Sequence, residues 1–330
     1  MTHFRRLIPV VAALVLAGCA GVAAVAPPAA LLGEGWTPAA ALTRPVGLGL
    51  PGGARLEAGV AFAGGVEIVA AAASPLHSLS DFKLLGDAGF LSVSDAGDLV
   101  RGELRLDGAG RLSGLGGLAF RRLTLPDGGP IVEKADGDAE GLALPVDGGL
   151  LVSFERRHRI WNYGPPTRPL AHAIAAASPD FAFPSNDGME AIAARADGGW
   201  RVAGESGGVW DCALTGCTVV VAPPATPAPD SEYRITGMDR DPTGDGFFVI
   251  QRSYEPPVDA RARVRRMAAD GRLGPVLVEL KLPGTTDNFE GIAAVARDGG
   301  VRLYVLSDDN DSPTQRTLLL AFDVRPVPTP

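Results

Sequence analysis

Apolar residues in this chain come in short runs, and each run is cut off by a glycine-rich turn before it could become a helix. An acidic or polar residue opens a run, a turn follows, and a second apolar run returns to another polar or acidic residue. The clearest copies are Glu140-Gly-Leu-Ala-Leu144 with Leu150-Leu-Val-Ser-Phe-Glu155, Glu190-Ala-Ile-Ala-Ala194 with Trp200-Arg-Val-Ala-Gly-Glu205, and Glu290-Gly-Ile-Ala-Ala294 with Leu303-Tyr-Val-Leu-Ser-Asp308. Weaker copies open at Asp81 and end at Asp95, and open near Met238 and end at Arg252. Runs of this length bounded by Gly, Pro, Asn and Asp read as strands and tight turns, so the expected class is all-β.

The openings at 81, 140, 190, 238 and 290 lie 59, 50, 48 and 52 residues apart. A period near fifty in strand-rich sequence predicts propeller blades or a related array. Each hairpin is followed by another strand-like run, as in Arg159-Ile-Trp-Asn-Tyr163, Gly208-Val-Trp-Asp211 and Thr317-Leu-Leu-Leu-Ala-Phe-Asp323. Five such units are visible. A sixth is assembled from the N-terminal strands around Val60 to Val69 and the last C-terminal strand, giving six blades, with five blades and long insertions as the alternative count. The proline-rich stretch 222–229 is expected as an exposed loop, since proline cannot donate to a ladder.

Opposed residues of an antiparallel hairpin have a constant index sum. Glu140 with Glu155 centres between Asp147 and Gly148, and Glu190 with Glu205 centres between Asp197 and Gly198. Asp-Gly is a favoured two-residue hairpin turn. Asp81 with Asp95 and Glu290 with Asp308 also centre on turn sequences. This register predicts facing acid pairs at the open ends of the hairpins, with Cβ atoms about 5 Å apart.

The N-terminus gives an address. Arg5 and Arg6 precede an uncharged apolar stretch, Leu7 to Gly18, which closes with Leu16-Ala17-Gly18-Cys19. That is the pattern of a lipoprotein signal peptide over 1–18, with Cys19 lipidated and an ordinary signal peptide with a chance cysteine as the alternative. The stretch is too short to span a bilayer of about 30 Å. Residues 19–40 are expected as a tether and 41–330 as one propeller domain, exported to the cell envelope, facing the periplasm or the outer surface, and held to membrane only by its lipid. In an oxidising compartment the remaining cysteines, Cys212 and Cys217, are expected to pair, and they lack the companions of a zinc site. A net charge of -8 gives no footprint for nucleic acid. The expected state is a monomer.

Like charges facing across a hairpin are unfavourable, so something should offset a repeated arrangement. Ca²⁺ takes six to eight oxygen ligands, and Asp81, Asp95, Glu140, Glu155, Glu190, Glu205, Glu290 and Asp308 would supply carboxylates around one basin. Alternatively these acids bond to backbone N–H groups of the next blade and lock it. Arg156, Arg252 and Arg234 are candidate counterions or anion clamps. Arg252 stands where other units carry an acid. Gly204-Glu-Ser-Gly-Gly208 fits the serine-hydrolase elbow pattern, but a strand rather than a helix follows Ser206. His77, His158 and His172 read as surface or packing residues. Asp308-Asp-Asn-Asp311 resembles the start of an EF-hand loop without its glycine and final glutamate.

Several of these segments carry a resemblance. Asp287-Asn-Phe-Glu-Gly-Ile292, Leu306-Ser-Asp-Asp-Asn310 and Gln315-Arg-Thr317 resemble the C-terminal signature of the phytase-like family known as "esterase-like activity of phytase". Asp138-Ala-Glu-Gly141 with Ser153-Phe-Glu-Arg156, and Asn186-Asp-Gly-Met-Glu190 with Gly204-Glu205, are similar to its internal motifs. The resemblance spans about residues 55 to 325 and implies a β-propeller that hydrolyses phosphate esters or other esters with Ca²⁺. Glu190, Glu290, Arg252 and Arg156 are the candidate catalytic residues. The Gly237-Met-Asp239 unit departs from the pattern by lacking an opening acid. The rival expectation is a non-catalytic propeller that binds an envelope glycan, peptide or protein.

Overall fold

The computed structural model describes residues 22–23, 35–297 and 299–326. The expected signal peptide, Cys19 and most of the tether lie outside the described residues. Five N-terminal strands come first: β1 (Val22–Ala23), β2 (Thr37–Pro38), β3 (Ala41–Pro45), β4 (Ala54–Leu56) and β5 (Val60–Ala70). Each attaches to a sheet built by the rest of the chain. Trp36 and Ala39, assigned to the tether on sequence, are buried against the fold, where β2 pairs with the fourth strand of the first meander.

The remaining chain runs as antiparallel meanders. Blade I comprises β6 (Leu79–Leu85), β7 (Gly89–Ser94), β8 (Asp98–Leu106) and β9 (Leu112–Arg122). A single turn of helix, α1 (Lys134–Gly137), leads into blade II: β10 (Ala139–Ala143), β11 (Leu151–Phe154), β12 (Arg159–Asn162) and β13 (Ile174–Ala176). Blade III holds β14 (Ala191–Ala194), β15 (Trp200–Ala203), β16 (Val209–Ala213) and β17 (Gly216–Val221), and blade IV holds β18 (Arg234–Arg240), β19 (Phe247–Glu255), β20 (Asp259–Met267) and β21 (Leu273–Leu280). Blade V has β22 (Asn288–Arg297), β23 (Gly300–Asp308) and β24 (Thr317–Val324), completed by β5, which pairs antiparallel with β24.

The strands expected to form a sixth unit therefore complete the fifth, and five meanders are present among the described residues. The physical reason is edge removal. A fourth strand from the N-terminus covers the open edge of β24 and ties the two ends of the chain together. A single parallel bridge from Gly64 to Leu112 also links blades V and I into one 11-stranded sheet.

The core is divided between blades. Buried apolar side chains form five clusters, and each joins one blade to the next: I to II around Leu91 and Phe154, II to III around Leu151 and Trp200, III to IV around Ala191 and Val249, IV to V around Phe248 and Leu303, and V back to I around Tyr304 and Phe82. Both faces of a blade are thus covered. That is why the inner strands read as unbroken apolar runs rather than alternating ones. The disulfide joins Cys212 to Cys217, directly opposed on β16 and β17. The stretch 222–229 carries no strand and connects β17 to β18.

The turns fall where the sequence places them, but the register is shifted. In blade III, Arg195 N donates to Gly199 O and Gly198 N to Arg195 O, enclosing a three-residue loop with Gly198 at φ 92°. Such a loop moves the pairing by one residue relative to a two-residue Asp-Gly turn, so Ala191 opposes Ala203. Near the other end of β6, β10, β18 and β22 the register shifts again, leaving Ser80, Glu140, Thr236 and Glu290 as extra residues in a bulge.

Candidate functional site: an acidic cavity at the propeller mouth

The bulges decide which side chains reach the mouth. Because Glu140 is the extra residue, Glu155 is opposed not by Glu140 but by Asp138, and Glu155 N donates to Asp138 O at 2.8 Å. Likewise Asp308 opposes Asn288 and Arg252 opposes Arg234. The expected facing acid pairs are corrected to this stagger, in which each bulge acid lies beside its hairpin partner rather than opposite it. After the bulge comes glycine in three blades. A Cβ on Gly141 would lie 2.8 Å from Glu190 O, and one on Gly237 would lie 2.0 Å from Glu290 O. The neighbouring inner strand passes that close, which brings Glu140, Glu190 and Glu290 together around the axis.

One open cavity of about 340 Å³ results, lined by Asp95, Asp138, Glu140, Glu155, Glu190, Glu205, Glu290 and Asp308 together with Lys134, Arg156, Arg234 and Arg252. Seven of the eight acids expected on sequence are brought here. Asp81 is not. In blade I the bulge falls on Ser80, one residue earlier, so Asp81 turns into the protein, where it is fully buried. It accepts from Lys83 Nζ at 2.6 and 2.7 Å and from Leu142 N of blade II at 2.8 Å. Asp239 does the same between blades IV and V, accepting from Ala294 N at 2.8 Å. At these two positions the acids bond to the next blade.

Sequence reasoning did not single out Asp138, Lys134 or Asn288 as site residues. The available signal was Asp138-x-Glu140 and Asn288-x-Glu290, a polar residue two places before each bulge acid.

Cations compensate the acids unevenly. Lys134 Nζ lies 2.8 Å from Asp95 Oδ2 and 2.6 Å from Asp138 Oδ1, and Arg156 Nε donates to Asp138 Oδ2. Arg156 reaches there from a left-handed backbone at φ 57°, uncommon for a residue with a Cβ. Arg234 and Arg252 both donate to Glu205 Oε1, Arg252 at 2.9 Å, and Arg252 stays 3.9 Å from Glu290, which also accepts from Asn288 at 2.8 Å. Burial and the surrounding carboxylates push Glu140, Glu190 and Asp308 well above the usual carboxylate range. Burial, then Asp138 and Glu205, raises Glu155 to about 7. Burial raises Glu290 to about 7 despite the opposing pull of Arg252.

Carboxylate oxygens of Asp138, Glu140 and Glu155 all lie within 4.8 Å of one another. Hard carboxylate oxygen donors converging at a half-open site fit a hard divalent cation such as Ca²⁺. Ser206 Oγ donates to Asp187 rather than to a histidine, His77 Nδ1 lies 2.6 Å from Asp309, and His158 Nε2 lies 2.8 Å from Pro184 O.

Five blades around an axis, with carboxylates and arginines gathered at one mouth, define a β-propeller carrying an acidic cavity. The family model described as "Phytase-like: Esterase-like activity of phytase" matches residues 74–311, and the chain belongs to that family. No curated protein matches it. Solved structures similar to it include virginiamycin B lyase from Staphylococcus aureus, with 10% identity over 88% of this chain and 99% of that one and a TM-score of 0.43. Another is the PQQ-bound aldose sugar dehydrogenase from Streptomyces coelicolor, with 12% identity over 81% of this chain and 100% of that one and a TM-score of 0.42. A protein of unknown function from Bacteroides thetaiotaomicron has 10% identity over 81% of this chain and 68% of that one, with a TM-score of 0.46.

Proposed function

We propose that this protein is a Ca²⁺-dependent hydrolase of phosphate esters or related esters, working at the acidic mouth of the propeller. The observation that carries the reading is the convergence of Asp138, Glu140 and Glu155 beside arginines in one cavity. These three carboxylates would hold the cation, which when bound would polarise the ester's oxygen and lower the pKa of a coordinated water. Arg252 and Arg156 present guanidinium donors to the anionic group of the substrate, a fork suited to phosphate or carboxylate. Glu290, raised to about 7, can exchange a proton near neutral pH, and it sits 3.9 Å from Arg252, within reach of the same bound anion. Glu190, buried and bordered by Glu140 and Glu205, is the second candidate proton carrier.

The test is hydrolysis of chromogenic phosphate mono- and diesters and carboxylic esters, with and without Ca²⁺. Activity should require the cation and fall at least about 100-fold in a Glu190→Gln/Glu290→Gln double variant, the scale of losing general acid–base catalysis. No turnover under any divalent cation, or undiminished turnover in the double variant, returns the protein to the rival reading of a binding propeller.

A further inference from the structure

Beside the acidic cavity lies a second one of about 570 Å³, and Arg252, Asn288 and Asn310 line both. Its far wall is different in character. Tyr254 and Val258, from the β19–β20 hairpin, meet Leu282 from the segment between β21 and β22, with Pro257 between them. Val258 is 66% exposed, Leu282 49% and Tyr254 36%. Large apolar side chains left open to water and converging from separate segments mark a place where an apolar group binds. Arg316 lines the same cavity as Arg252, held by Asp287 at 3.3 Å and Thr286 O at 3.2 Å. The cavity therefore combines two guanidinium groups, one of them shared with the mouth, with apolar side chains that do not line the mouth.

Its position in the ring explains the join. Blades I, II, III and V bring an acid to the mouth at or just after their second strand, at Asp95, Glu155, Glu205 and Asp308, whereas blade IV brings Arg252 from within β19. The acidic wall is interrupted at the blade whose hairpin carries Tyr254 and Val258, and there the two cavities meet.

We infer that this second cavity takes the apolar, ring-bearing part of an ester whose anionic group sits at the mouth, so that the substrates are aryl or similarly apolar phosphate esters rather than polyol phosphates. The inference rests on the proposed hydrolase reading for its substrate, but a binding measurement tests it separately. Phenylphosphonate and methylphosphonate carry the same anionic group and differ only by the ring. Calorimetric titration of the full chain, with Ca²⁺ present, should give at least about tenfold tighter binding of phenylphosphonate, the scale of a filled apolar pocket. Val258→Asp, and independently Leu282→Asp from a separate segment of the chain, should bring the two affinities to within about twofold of each other. Leu214→Asp, on an 84% exposed residue of blade III, should leave the preference intact. Equal affinities in the parent protein, binding of neither phosphonate, or a preference surviving both wall substitutions overturns the inference. A phenyl preference without hydrolysis of phenyl phosphate supports the cavity and removes only the hydrolase reading.

Discussion

A carboxylate in this protein behaves according to which side of a bulge it falls on. Glu155 and Glu290 are raised from an ordinary 4.5 to about 7, so between those values the folded chain binds protons that the unfolded chain has released. Their contribution to stability is complete below about 4.5 and is lost as pH rises through about 7. Thermal melts without divalent cations should therefore show the melting temperature falling across that window. Glu155→Gln should flatten the fall, and Ca²⁺ should reverse it most strongly at the alkaline end. A melting temperature that climbs between those pH values would contradict the assignment. Asp81 tests the opposite role. It is buried with Lys83, and removing one member of a buried pair leaves a lone charge, so Asp81→Ala should cost about 3–5 kcal/mol in denaturant unfolding. The Ca²⁺ affinity of the Asp81→Ala protein should nevertheless match the parent's, because Asp81 does not line the mouth.

At the scale of the element, the inner strand is the unit that converts repeat into site. In β10, β18 and β22 a bulge is followed by a glycine that lets the next blade pass, and in β10 and β22 the bulge residue is an acid of the mouth. Gly237→Ala would set a Cβ 2.0 Å from Glu290 O, a backbone atom that cannot swing aside. Overpacking of this kind costs about 1–3 kcal/mol. Gly244→Ala, where nothing lies within 4 Å, should be close to neutral by comparison. Chemical denaturation of the two variants side by side checks the close approach. Equal stabilities would mean the inner strands are farther apart than described.

For the whole molecule, closure and address are separate matters. The ring closes through β5 on β24, so β5 completes blade V, while β2 and β4 pair with strands of blades I and IV. The expectation that Cys19 carries a lipid anchor concerns residues ahead of that closure. Cys19→Ala should move the protein from the membrane fraction to the soluble fraction of the envelope without altering its melting temperature. Retention in the membrane fraction would count against lipidation.

Class, period and turn positions were legible in the residues themselves, because strand length, glycine spacing and Asp-Gly pairs act over a few neighbours. The acids from Asp95 to Asp308 could be picked out for the same reason: they recur at fixed places in each unit. The pairing register, the fate of Asp81, the entry of Asp138 and the count of blades were not legible. A three-residue loop in place of a two-residue one, and a bulge at Ser80 rather than at Asp81, move a side chain between mouth and interior while leaving the local apolar pattern unchanged. Only the packing of each inner strand against the next, and of β5 against β24, selects among those registers. Sequence thus determined that an acidic ring exists, and tertiary structure decided which acids compose it.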